Sequence, residues 1–170
     1  LDRDLPFSFV DDKVFVGNSL LGITNLEQLR RININPTRAY SQQGFEIFHM
    51  DIDAIVRRAV DLRHRLNSEV SEEDPGRNGV AKARQYTELR RVTADLRRIA
   101  DGVIAAGLPL GGRSGKALDQ AYENLRLAVK RAHAGTSEAQ EDSTWLKRII
   151  ERGLTPSVQT DYEHWSPLHW

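Results

Sequence analysis

The sequence contains no cysteine, which excludes disulfide bonds and thiolate metal ligands. It contains no apolar run near the roughly 20 residues that a membrane-spanning helix needs, and no signal segment opens it. Basic and acidic residues balance at 24 each, so no net charge draws the chain toward nucleic acid or a lipid surface. These absences predict a protein of the cytoplasm with no membrane partner.

The composition is that of an ordinary globular domain. The chain has 170 residues, of which 39% are apolar and 28% charged, enough to build one domain with a real core. It begins at Leu1 rather than at methionine and ends on the aromatic Trp170. Because chain ends normally fray in water, an apolar terminal residue is unusual. We therefore expect the chain to be a fragment of a longer protein.

Apolar residues recur at steps of three and four over most of residues 51–153. This period predicts four helices, separated by turns that are rich in glycine, proline and acidic residues. Short turns between successive helices favour antiparallel neighbours. The predicted fold is mainly α: a helical bundle or long helical hairpin of about four helices, with short extended or β segments at both ends. The helices are expected at 52–70, at 78–106, at 116–133 and in a last segment that ends near Gly153.

The two ends of the chain carry different signals. β-branched and aromatic residues predict strands at Lys13–Val16 and at Phe45–Phe48. Between them, Thr24–Glu27 has a capping-box pattern that predicts a short helix ending near Arg31. The segments 1–12 and 155–170 are predicted to be extended.

The sequence therefore divides into three parts. Residues 1–50 form a strand-containing arm, residues 51–153 a helical region, and residues 154–170 an extended aromatic tail.

The segment Gly112–Lys116 is similar to the sequence motif of a phosphate-binding loop but lacks two residues of that motif. The pattern needs a glycine where Leu110 stands, and a serine or threonine to hold Mg²⁺ where Ala117 stands. The better interpretation is a loop between two helices, with Ser114 as the N-cap.

The titratable residues do not form a recognisable catalytic or metal-binding pattern. The five histidines include no pair at the i, i+4 spacing of a helical zinc site. His164 and His169 flank a Trp-Ser-Pro turn and are interpreted as packing or hydrogen-bonding residues. Accordingly, we predict no catalytic residue and no metal site in this chain.

Arginines recur at seven-residue steps along the second long helix, at Arg84, Arg91 and Arg98. Such a row is able to follow a phosphate backbone, which makes these three residues candidates for nucleic-acid binding. The alternative is a solvated face on which Glu88 and Asp95 form ion pairs along the helix. We favour the alternative.

Two segments together suggest a family. The first, Asp12–Leu29, has the core Phe-Val-Gly-Asn-Ser-Leu-Leu-Gly-Ile and resembles a stretch of the large class I DNA adenine-N6 methyltransferases. These are the methylases of type IIG restriction-modification enzymes and of the BREX and DISARM phage-defence systems. The second, Glu163–Trp170, is similar to the sequence that leads into the next sheet strands of such enzymes. The resemblance implies that the helices between them are an insertion.

In that family, an acidic or amide residue at the position of Asn18 lies beside the adenine ring of S-adenosylmethionine. The resemblance thus implies that Asn18 contacts this cofactor, with Ser19 and Leu20 shaping the adenine pocket. The family's glycine-rich cofactor loop and its Asn-Pro-Pro-aromatic motif are absent, since Asn35-Pro36-Thr37 lacks the second proline and the aromatic residue.

The expected parent is therefore a methyltransferase that binds S-adenosylmethionine and methylates DNA in restriction-modification or phage defence. The fragment alone is expected to bind no cofactor and to catalyse nothing, because adenine methylation needs a pocket for the extruded base beside the methyl donor.

A function of another class stays open. The chain would then be a helical protein-interaction module without enzymatic activity. Apolar positions such as Leu89, Leu96 and Ile99 would contact a partner helix or a second copy of the chain.

Overall fold

A computed structural model describes most of the helical part of the chain. The strand predicted at Phe45–Phe48 lies outside the described residues, as do the extended segment 1–12 and all of Lys13–Val16 except its last residue. The described residues are 16–37, 52–68, 75–132, 139–160 and 163–169.

The described part of the chain is mainly α-helical, as the periodicity predicts. Its helix bounds agree with the predicted ones to within about three residues, because a sustained apolar period is the strongest local signal. A 3₁₀ turn, Leu108–Leu110, follows the longest of the described helices. The α-helices are α1 (Leu26–Arg30), α2 (Ile52–Ser68), α3 (Pro75–Gly107), α4 (Lys116–Ala132) and α5 (Ala139–Leu154).

Extended pairing is limited in the described residues. They include no strand, and one isolated parallel bridge joins Asn18 to Pro167. The β segments expected at both ends and the four-helix arrangement therefore stay predictions. Within the described residues, no helix is both long enough and apolar enough to cross a membrane.

The chain divides into two compact units, and α3 contributes to both. The described residues of the first unit are Val16, α2 and the part of α3 up to Asp95, and we name this pair of helices the hairpin unit. The side chains of Leu66 and Leu89 are buried there. Arg58 of α2 binds Glu88 of α3, with 2.8 Å between Nη2 and Oε1.

The second unit holds most of the described core. It comprises residues 17–37, the end of α3 from Leu96, α4, α5 and the tail. Glycines let its helices approach closely: a methyl group on Gly102 would lie 2.8 Å from Leu125, and one on Gly153 would overlap the backbone of Ala105. Its largest fully buried side chains are Tyr122, Ile32, Ile99, Leu125, Leu146, Val103 and Val129.

Candidate functional site

The segment Gly17–Gly22, which we name the Asn18 turn, is hydrogen-bonded to the tail of the chain. The backbone N–H of Asn18 donates to the carbonyl of Ser166 at 2.6 Å. In return, the N–H of Leu168 donates to the carbonyls of Leu21 at 2.8 Å and of Asn18 at 3.2 Å. The two segments that carry the family resemblance therefore lie side by side.

The side chain of Asn18 closes the turn on itself. Its Oδ1 accepts a hydrogen bond from the N–H of Leu20 at 3.0 Å, the geometry of an Asx turn. Among the described residues, none accepts a hydrogen bond from its Nδ2. Ser19 is exposed, and the Leu20 side chain is 91% exposed. The three predicted cofactor residues are thus contiguous in a turn that a ligand can reach. The Nδ2 group of Asn18 and the side chain of Leu20 are available there for contact with a ligand.

Two glycines allow the Asn18 turn to approach the tail. A methyl group on Gly22 would overlap the carbonyl of Leu168, and one on Gly17 would lie 3.0 Å from the carbonyl oxygen of Ser166. A side chain at Gly22 would force the backbones apart and break the hydrogen bonds of Leu168.

His169 joins Ile23, the residue after the Asn18 turn, to α3. Its Nδ1 accepts a hydrogen bond from the N–H of Ile23 at 3.2 Å, and its Nε2 lies 2.9 Å from Oδ1 of Asp101. Since Nδ1 accepts, the ring proton is assigned to Nε2, which then donates to the carboxylate. Both side chains are largely buried, at 14% and 23% exposure. This arrangement fixes the imidazole on both sides, which suits positioning rather than proton transfer.

The helix after the turn is capped one residue later than the sequence predicts. Asn25 is the N-cap, and the reciprocal partner is Gln28, whose Oε1 accepts from the Asn25 N–H at 3.1 Å. The Gln28 side chain also donates to the carbonyl of Ile34 at 2.8 Å. Ile32 is fully buried at a φ of +47°, a strained conformation for a β-branched residue. These contacts anchor the loop behind the Asn18 turn.

The predicted nucleic-acid residues Arg84, Arg91 and Arg98 are all exposed on α3. Arg91 is ion-paired, with Nε and Nη2 at 2.8 and 3.0 Å from the carboxylate of Glu88. These hydrogen bonds, together with the one from Arg58, lower the pKa of Glu88 to about 2. This pairing agrees with the solvated, ion-paired face favoured from the sequence.

The glycine-rich segment before α4 is a connection between helices. Gly111 and Gly112 adopt positive φ values of 61° and 64°, which glycine tolerates. The first helical hydrogen bond of α4 runs from the N–H of Asp119 to the carbonyl of Gly115 at 3.1 Å. The N-cap is therefore Gly115, so the predicted N-cap Ser114 was wrong by one residue. Across the described residues, no group of three histidine or acidic side chains is placed to hold a metal ion.

Sequence reasoning missed the link between His169 and Asp101. The sequence identified His169 as a hydrogen-bonding residue but gave no partner, and it did not single out Asp101. The two lie 68 residues apart, and no local pattern connects them.

Comparisons with known proteins do not assign the chain to a family. No protein-family model, no curated protein and no solved structure matches the chain.

Proposed function

We propose that the chain is part of an S-adenosylmethionine-dependent DNA adenine-N6 methyltransferase of a restriction-modification or phage-defence system. The observation that carries the proposal is the parallel bridge between Asn18 and Pro167. It joins the two segments that resemble this family, although residues Ile23 and His169 within them are 146 residues apart in the chain. If the helices between these two segments are an insertion in a parallel sheet, the segments before and after the insertion are expected to be parallel neighbours.

In this proposal, the Asn18 turn is the cofactor side of the parent enzyme. Ligands of open α/β sheets bind beyond the carboxyl ends of the strands, where small polar residues stand. Asn18 would offer its Nδ2 to the adenine ring, and Leu20 its exposed side chain. His169 and Asp101 would hold the turn in place without touching the cofactor. The catalytic groups would come from other parts of the parent, since the chain lacks the family's catalytic motif.

The first test is the coding sequence on both sides of this segment. A glycine-rich loop upstream and an Asn-Pro-Pro-aromatic motif downstream would support the proposal. A continuous reading frame without them would reject it.

The second test is cofactor binding by the parent protein, measured by calorimetry. Asn18→Ala removes both the Nδ2 donor and the Asx turn, so we expect binding of S-adenosylmethionine to weaken at least tenfold. Asn25→Ala, which removes the nearby cap of α1, serves as a matched control and should leave affinity within about twofold. Equal losses in the two variants would mean that Asn18 acts only through folding.

The exposed apolar side chains of the hairpin unit favour a second candidate, a protein-interaction module. Leu89, Leu96 and Ile99, the partner contacts expected from the sequence, are buried within the chain itself, whereas Val60 and Val80 are 46% and 57% exposed on α2 and α3. Concentration-dependent self-association in sedimentation, without cofactor binding by the parent, would favour this function.

A further inference from the structure

One bond between the two ends of the described chain is made by a titratable ring. Four hydrogen bonds join residues 18–23 to the tail in the described part of the chain, and we name them the junction. Three of them run between backbone atoms, whose donors and acceptors do not change with pH. The fourth is accepted by the imidazole of His169, a type of side chain that changes its charge between about pH 5 and 8. The junction therefore contains a bond that responds to pH.

Protonation of His169 removes the acceptor of that bond. In the neutral ring, Nδ1 accepts from the N–H of Ile23 and Nε2 carries the proton. A further proton enters at Nδ1, which then becomes a donor that faces the donor nitrogen of Ile23 at 3.2 Å. Ile23 is 6% exposed, so its N–H lacks an acceptor there unless the backbone moves to reach water. The charged ring thus separates from Ile23.

Asp101 keeps the charged ring on α3. Nε2 of His169 lies 2.9 Å from Oδ1 of Asp101, and a hydrogen bond from an imidazolium to a carboxylate is stronger than one from a neutral ring. Both side chains are largely buried, so salt and water screen this attraction only weakly. The added proton therefore breaks the contact with Ile23 and strengthens the contact with α3.

The other charged groups of the elements that contact the ring are exposed. Residues 17–23 contain no titratable side chain. On α3, Arg97 and Arg98 lie one turn before the carboxylate, and both are exposed, so solvent screens their repulsion of the charged ring. In the tail, Glu163 and His164 are exposed as well. The buried carboxylate therefore has the largest influence on the charged ring.

We propose that His169 is a pH-sensitive latch, which holds Ile23 to the tail when neutral and releases it when protonated, while Asp101 retains the ring. Release frees the chain directly after the Asn18 turn, and the three backbone bonds of the junction remain. The support of this turn thus depends on pH. The inference rests on the junction and not on the methyltransferase parent, so either proposal can fail alone.

The experiment measures hydrogen exchange of the Ile23 amide by NMR in the full 170-residue chain, with rates corrected for the intrinsic effect of pH. The readout is the protection at about pH 7.5 divided by that at about pH 5.5, two values within the range in which histidine titrates. We expect this ratio to be about five, the equivalent of one neutral hydrogen bond. The amides of α4 should show no such change, which separates local release from unfolding.

Asparagine variants supply the controls, because the side-chain oxygen of asparagine lies close to the position of Nδ1 in histidine and does not titrate. His169→Asn should abolish the pH dependence of Ile23 protection. His164→Asn, which changes an exposed histidine of the same tail, should leave that dependence as it is. Asp101→Asn should move the release to lower pH, because it removes the negative charge that favours the protonated ring.

Four results would overturn the latch. They are a constant Ile23 protection in the unmodified chain, a pH dependence that persists in His169→Asn, its loss in His164→Asn, and release at an unchanged pH in Asp101→Asn. A His169→Asn chain that lacks Ile23 protection at both pH values would still support it, since the readout is the ratio and not the protection itself.

Discussion

Tyr122 shows how a single buried polar atom affects this protein. The residue is 1% exposed, and its hydroxyl lies against Gly107 with no described hydrogen-bond partner. Burial raises the pKa of Tyr122 above its usual value of 10, and the Ile34 amide opposes the shift in part. The hydroxyl is therefore a cost to folding, while the ring fills the core.

Tyr122→Phe should accordingly stabilise the chain. It keeps the buried ring and removes a polar atom whose unsatisfied burial costs on the order of 1 kcal/mol. Urea unfolding followed by circular dichroism measures the change, and Tyr86→Phe on the half-buried ring of α3 serves as a control. A loss of more than about 1 kcal/mol would show that the hydroxyl has a partner in the folded state.

Helix α5 illustrates what an element requires beyond its own periodicity. Its apolar stripe was visible in the sequence, but the reason for Gly153 was not. The close approach to Ala105 of α3 leaves no room for a side chain at this glycine. The packing of α5 against α3 thus depends on Gly153 because this residue has no side chain.

Gly153→Ala should destabilise the second unit by about 1–3 kcal/mol, the usual effect of forcing extra volume into a packed contact. Gly115→Ser is the matched control. An added side chain there meets nothing within 4 Å, and serine is favoured at helix starts. Thermal unfolding should show a lower midpoint for the first variant and an unchanged or higher one for the second. Similar midpoints would mean that α5 shifts without cost.

The helices were predictable from the sequence because each carries its apolar period within its own residues. The link between His169 and Asp101 was not predictable, since it depends on how distant segments fold together. The N-cap of α1 was also not predictable, because Thr24 and Asn25 are both suitable N-cap residues. The Oε1 atom of Gln28 accepts hydrogen bonds from the N–H groups of both residues. Since Gln28 is the third residue after Asn25, it forms the capping box with Asn25 as the N-cap. The role of Asn18 rests on the family resemblance and stays a prediction.

At the scale of the molecule, the two units differ in how much apolar surface they bury. Of the described apolar side chains that are buried, Leu66 and Leu89 belong to the hairpin unit, and all others belong to the second unit. Burial of apolar surface is the main term that stabilises a folded protein. The described helices of the hairpin unit therefore gain less stabilising free energy than those of the second unit. The sequence could not reveal this division, because α3 continues through it without a break.

Hydrogen exchange should reveal this difference directly. Amides of α2 are expected to exchange at least tenfold faster than those of α4, because local unfolding costs less free energy where fewer side chains are buried. Mass spectrometry on peptic peptides from the two helices, at one pH and temperature, makes the comparison. Equal protection in α2 and α4 would contradict it and indicate a single cooperative unit.

The bond between Ile23 and His169 closes a loop of 146 residues. Closing a flexible loop of that length costs about 4–5 kcal/mol of chain entropy. The four hydrogen bonds between the two halves of the junction contribute about 1 kcal/mol each, so together they no more than match this cost. The junction therefore persists only while the helices between its two halves are folded and shorten the effective loop. Melting those helices would release the Asn18 turn from the tail, so a probe on that turn would report their unfolding from a distance.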